Sequence, residues 1–152
     1  DQRAIDYNMG IPKTGRSKDG RPMHYSVGAV IKKDGEYLLI DRAVPPFGFA
    51  GPAGHVDQGE SEIEAMKREV QEEVGLKIVR CSLLFEEEVG WNWCSKGVDA
   101  HYWYVFECDV EGEMKRSFRE TKSAAWYAED QIKDLKLEPV WEYWFRKMGV
   151  IE

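Results

Sequence analysis

One short stretch of the chain sets the limits of its own helix, and much of the fold follows from it. Ser61-Glu62-Ile63-Glu64 reads as a capping box, in which the Ser61 hydroxyl accepts from the Glu64 amide and the Glu64 carboxylate reaches back. Gly75 stands where a left-handed C-terminal cap belongs, with Leu76 placed for the accompanying apolar contact. The caps predict a helix over residues 62–74. On it Ile63, Met66, Val70 and Val74 fall on one arc, which is expected to face a sheet.

A neighbouring arc carries Glu69, Glu72 and Glu73, with Glu62 near the same stripe. Three carboxylates within one turn repel one another, and the C-terminal end of a helix dipole also disfavours negative charge. A bound cation would offset both costs. A ligand set made only of oxygen points to magnesium, or manganese in its place, rather than zinc. The competing explanation is a solvated acidic face. Arg68 flanks the arc, with Glu64 and Glu72 four residues to either side.

The spacing decides between these. Gly54, five residues, Glu60, seven residues and then Arg68-Glu69-Val70-Gln71-Glu72-Glu73-Val74-Gly75-Leu76 form a pattern over residues 54–76. It resembles the Nudix hydrolase box at every specified position. The resemblance implies an α/β fold, an α/β/α sandwich with a mixed sheet, and hydrolysis of nucleoside diphosphates linked to another group. It implies Glu69 and Glu73 as principal metal ligands, Glu72 as a further one, and the Ala53 carbonyl as another; many members carry glycine at position 53. It also implies a further glutamate, ligand or base, from the region of Glu120. Arg68 is expected to orient the glutamates rather than touch substrate, and Gly59 and Glu60 to shape the loop. Such chemistry needs these groups because a diphosphate repels an electron-rich attacker until its charge is neutralised. One carboxylate must also accept the proton of the attacking water.

The rest of the chain fits one domain of this layout. Residues 1–24, rich in glycine, proline and basic side chains, read as an irregular arm in which Ile5, Tyr7, Met9 and Ile11 can pack; the domain proper is read over 25–152. Asp34-Gly35 predicts a hairpin turn between strands 25–33 and 36–42. Residues 43–54 hold too much proline and glycine for a regular element. Strands are predicted over 77–89, 100–109 and 124–128, with a loop over 90–99 and a turn at 111–113. Helices are expected over 129–135 and 139–148, and the stripe of Trp141, Trp144, Phe145 and Met148 on the second is read as core.

Outside the box, Arg42 ends a strand near the acidic site and is a candidate for holding a substrate phosphate; a surface arginine is the alternative. Trp91 and Trp93 lie in the 90–99 loop, where they can stack a nucleotide base or close the core. Glu86-Glu87-Glu88 reads as a solvated strand end. His101 reads as structural, and His24 and His55 carry no clear signal. In the subgroup region after the box, the proline associated with ADP-ribose and the tyrosine associated with dinucleoside polyphosphates are both missing.

Composition narrows the partners. A net charge of −7 argues against nucleic-acid grooves and anionic membranes. Cys81, Cys94 and Cys108 form no Cys-x-x-Cys pair, so neither a disulfide framework nor a zinc knuckle is expected, and a reducing, cytoplasmic setting is the default. No secretory leader is read at Asp1, and no apolar run reaches spanning length. The expected partner is a small nucleotide, with homodimerisation left open. The leading substrate is a nucleoside triphosphate or related nucleotide. The alternatives are a nucleoside diphosphate sugar or dinucleotide, and a nucleotide-sensing module without turnover.

Overall fold

The computed structural model describes residues 10–152, so Ile5, Tyr7 and Met9 lie outside the described residues. Strands and helices follow in the order β1 (Thr14–Arg16), β2 (Pro22–Lys33), β3 (Glu36–Arg42), β4 (Phe49–Ala50), β5 (Ala53–His55), α1 (Glu62–Val74), β6 (Lys77–Val89), β7 (Ala100–Glu111), β8 (Thr121–Ala128), α2 (Glu129–Ile132) and α3 (Pro139–Lys147).

The described part of the N-terminal arm is more regular than expected. Thr14–Arg16 pairs with Pro22–His24, so β2 begins three residues before Tyr25. The loop predicted over 43–54 likewise contains β4, and β5 starts at its end; alternate pairing with β3 and β2 overrides the glycine and proline content locally. The 129–135 helix stops at Ile132, and the 124–128 strand starts at Thr121.

The central strand β2 pairs in parallel with β7 along Met23–Ile31 and antiparallel with β5, and its end at Lys32 and Lys33 pairs with β3 across the Asp34-Gly35 turn. β7 in turn pairs antiparallel with β6, and β3 with β8. The sheet is mixed, as expected. Helices cover both faces: α1 sets Met66 against Cys108 of β7, while Trp141 and Trp144 of α3 meet Trp103 edge-on from the other side. Trp141 and Trp144 are wholly buried and Phe145 almost so, which places the three aromatic side chains in the core, with Met148 partly buried against it. Burying such large side chains is worth roughly 2–3 kcal/mol each and holds the C-terminal helix on the sheet.

Both caps of α1 form: Ser61 accepts from Glu64, Glu64 accepts from the Ser61 amide, and Gly75 closes the helix at φ 70°. The buried arc differs in one place. Met66, Val70 and Val74 face the sheet with Ala65, but Ile63 is 45% exposed. In the first turn the alanine methyl, which needs less room, takes the sheet side.

Candidate active site

The loop from β5 to α1 and the C-terminal half of α1 border a cavity of about 740 Å³. Glu69 and Glu73 reach it from α1, and Glu120 reaches it from the residue before β8. Their carboxylate oxygens lie within 4.8 Å of one another. Glu73 is 3% exposed, and its Oε2 accepts a hydrogen bond from the Ala53 amide at 2.8 Å. Burial drives the Glu73 carboxyl well above the usual range, and the neighbouring Glu69 charge drives it further. Glu69 is raised by burial and by Glu72 and Glu120, against the pull of Arg68. Ionised together, these crowded carboxylates would carry more negative charge than Arg68 beside Glu69 and Arg42 facing Glu73 offset. The donor set is all oxygen, so it fits a hard divalent cation.

Glu72, expected beside Glu69 and Glu73, stands further out. It is the most exposed of the three, and its carboxylate accepts from Arg68 at 3.3 Å. Burial raises its pKa, with Arg68 opposing. At Ala53 the structure shows the amide engaged with Glu73. Gly54 has a steric reason to be glycine, since a Cβ there would overlap the Glu69 carboxyl group.

Arg68 holds the loop and the helix together. Its guanidinium donates to Glu60 at 2.8 and 3.0 Å, to Glu69 at 2.7 Å and to the His55 carbonyl at 2.9 Å, and Asp57 lies at 3.3 Å. Glu60 also accepts from the Asp57 amide at 2.9 Å. These contacts join Arg68 to carboxylates of both the loop and the helix, and join Glu60 to the loop backbone. Burial pushes Asp57 up to about 6 despite Arg68.

Arg42 borders the cavity, but its Nε donates to the Pro46 carbonyl at 2.7 Å and lies 3.8 Å from Glu138. The arginine is therefore neither free in solvent nor wholly open to a ligand. The tryptophans part company. Trp93 lines the cavity and is 48% exposed; Trp91 is 52% exposed and packs edge-on against Tyr143, outside the lining. Neither closes the core, and of the two Trp93 borders the cavity. Sequence reasoning missed Glu138, whose buried carboxyl also borders the cavity, and the cations Lys96 and Arg119. No local pattern marks these three, which come together only through loop placement.

A NUDIX domain model matches residues 22–148, which is most of the chain. The chain belongs to the NUDIX family. It is 33% identical over 146 residues to nudix hydrolase 1 of Caenorhabditis elegans, covering 91% of this chain but 36% of that one. It is 29% identical over 109 residues to the asymmetrical bis(5'-nucleosyl)-tetraphosphatase of Sus scrofa, covering 66% of this chain and 74% of that one. Among solved structures, the MutT protein of Methanosarcina mazei superposes with a TM-score of 0.69 at 25% identity, covering 84% of this chain and 93% of the other. The NUDIX hydrolase of Nitrosomonas europaea superposes with a TM-score of 0.62 at 28% identity, covering 77% and 78%. NUDIX hydrolases generally use a divalent metal, in keeping with the carboxylate cluster. No helix of the described residues is long and apolar enough to cross a membrane.

Proposed function

We propose that this NUDIX domain hydrolyses a diphosphate linkage in a nucleoside triphosphate or related nucleotide, using magnesium, for which manganese can substitute. The observation that carries the reading is the convergence of Glu69, Glu73 and Glu120 on one cavity. Its volume of about 740 Å³ lies within the range of small-ligand pockets. Glu69, Glu73 and Glu120 would hold the cation, with Glu72 as a more solvated further ligand and the Ala53 carbonyl as an additional donor. A cation bound there draws charge from the phosphate oxygens and lowers the pKa of water.

The remaining work falls to the chain. Arg68 keeps Glu69 turned toward the cluster through its contacts with Glu60 and the His55 carbonyl. One carboxylate of the group accepts the proton of the attacking water. Arg42, Lys96 and Arg119 line the cavity and supply positive charge for the polyphosphate. Trp93 offers a half-exposed ring to the base.

The likeness to the pig tetraphosphatase favours a dinucleoside polyphosphate as the second reading. A panel of nucleotides incubated with magnesium, read for pyrophosphate and for monophosphates, tests both. Pyrophosphate release from a triphosphate supports the first reading, and a pair of nucleotide products from a dinucleotide supports the second. Absence of turnover across the panel, or equal turnover by Glu73→Gln, overturns the hydrolase reading.

A further inference from the structure

Beside the carboxylates, and independent of the hydrolase reading, the fold assembles a second group of donors of another kind. His24 comes from β2, His55 from the end of β5, His101 from β7 and Cys94 from the loop between β6 and β7. One ligand atom from each lies within 4.8 Å of every other. The His55 and His101 Nε2 atoms are 3.3 Å apart, and Cys94 Sγ is 3.7 Å from His24 Nδ1.

The nitrogen pair at 3.3 Å and the nitrogen–sulfur pair at 3.7 Å match the spacing of neighbouring ligands in a tetrahedron around a single ion. With zinc–nitrogen bonds near 2.0–2.1 Å and a zinc–sulfur bond near 2.3 Å, adjacent nitrogens stand about 3.3 Å apart and nitrogen and sulfur about 3.6 Å. The same geometry sets imidazole centroids about 5 Å apart. The three centroid separations are 5.0, 5.4 and 5.9 Å.

The surroundings prepare the rings for ligation. His24 and His101 are 7% and 2% exposed. His101 Nδ1 lies 2.8 Å from the Asn92 carbonyl, to which it donates, so the lone pair of Nε2 is directed into the group. Asn92 is itself held, since its side-chain oxygen accepts from Trp103 Nε1 at 2.8 Å. Burial lowers the histidine pKa values, to about 3 for His55 and about 4 for His101, which keeps both rings in the neutral form a metal requires.

We propose that His24, His55, Cys94 and His101 bind one zinc ion in a closed four-ligand site that fastens the loop bearing Trp93 to the sheet. Imidazole and thiolate donors select zinc over magnesium, so the two sites sort their ions by chemistry. A complete set of four protein ligands leaves no position for water, which makes this site structural. Its loop carries Trp93 and Lys96, both of which line the cavity.

Cobalt(II) reports the ligand set directly. Protein stripped with chelator is titrated with cobalt in the presence of excess magnesium, and zinc is measured on dialysed protein as purified. The expected result is one zinc per chain in purified protein. One equivalent of cobalt should then give intense tetrahedral d–d absorption and a thiolate charge-transfer band, both abolished by zinc. Cys94→Ser should lose the charge-transfer band, while Glu73→Gln, altered only in the carboxylate cluster, should keep it. The wild-type titration stands even if Cys94→Ser folds poorly. Octahedral cobalt without a thiolate band, a band that survives in folded Cys94→Ser, or purified protein free of zinc that takes up no cobalt beside magnesium would each overturn the proposal and leave a network of neutral histidines.

Discussion

The Ala53 amide donates to Glu73 Oε2 at 2.8 Å, tying the first residue of β5 to the last turn of α1. The bond fixes the orientation of the most deeply buried carboxylate of the cluster.

Because glutamine retains an acceptor oxygen, Glu73→Gln should preserve that bond and the fold. Neutralising a charge that burial disfavours should not destabilise the metal-free protein. Turnover should fall by at least about 100-fold, as when metal-binding or proton-transfer groups are lost. Steady-state kinetics beside a melting curve check this. Near-normal turnover, or a variant that does not fold, would remove Glu73 from the site.

Proton and cation should compete for the cluster. Glu69 and Glu73 have folded-state pKa values raised above their unfolded ones. The folded state therefore holds protons that the unfolded state releases, and stability falls as pH climbs from the unfolded value toward the folded one. A divalent ion must displace those protons, so it binds better at higher pH. Magnesium should raise Tm more at about pH 8.5 than at about pH 6. Equal shifts at the two values would show that the ion sits elsewhere.

The same sign applies to Glu138 without any metal. Burial lifts its carboxyl to about 7, with Arg42 opposing, and its Oε2 has no hydrogen-bond partner. From about pH 4.5 toward 7 the wild type loses stability, because the unfolded chain ionises freely and the folded one does not. Glu138→Gln should therefore be more stable than wild type by about 1–3 kcal/mol near pH 8. The difference should vanish near pH 4.5. Denaturant unfolding in chelator at both pH values measures it, and a difference independent of pH would assign it to packing.

Arg68 satisfies too many acids to be replaced cheaply. A cation at Glu69 would leave Glu60 and Asp57 uncompensated, and the Arg68 side chain is only 14% exposed. Arg68→Ala should cost about 3–5 kcal/mol, as for a broken buried pair. Arg68→Lys should recover little, because one ammonium cannot reproduce the fork. Urea unfolding of both variants tests this; a loss under about 0.5 kcal/mol for either would deny Arg68 its role as the tie between loop and helix.

What the sequence disclosed was local chemistry. The caps of α1, the hairpin turn at Asp34-Gly35 and the aromatic stripe of α3 are each specified by residues close in sequence, and each forms. Glu120 is marked in the sequence by its place just ahead of a short strand and by the Nudix resemblance, with no spacing of its own to single it out. Ile63 was misjudged because helical periodicity does not say which residue of a first turn meets the sheet. Glu138 and the histidine–cysteine group stayed hidden for a stronger reason. His24 and His101 sit in register on the parallel pair β2–β7, and β2 also brings Ser26 opposite His55. Those pairings are made by the fold and leave no spacing to recognise.

The two tryptophans of the 90–99 loop separate a ligand contact from a surface contact. Trp93 borders the cavity, whereas Trp91 rests on Tyr143. If Trp93 stacks a base, Trp93→Ala should raise KM for the preferred nucleotide by roughly 5- to 150-fold, the range of one lost stacking contact of about 1–3 kcal/mol. Turnover should change less, because the contact is present in ground and transition states alike. Trp91→Ala should leave KM near the wild-type value. Tryptophan fluorescence should also quench when a non-hydrolysable analogue binds, and the quench should shrink in Trp93→Ala but persist in Trp91→Ala. A KM effect confined to Trp91→Ala would reverse the assignment. Unchanged KM in both variants would mean that the base is held elsewhere in the cavity.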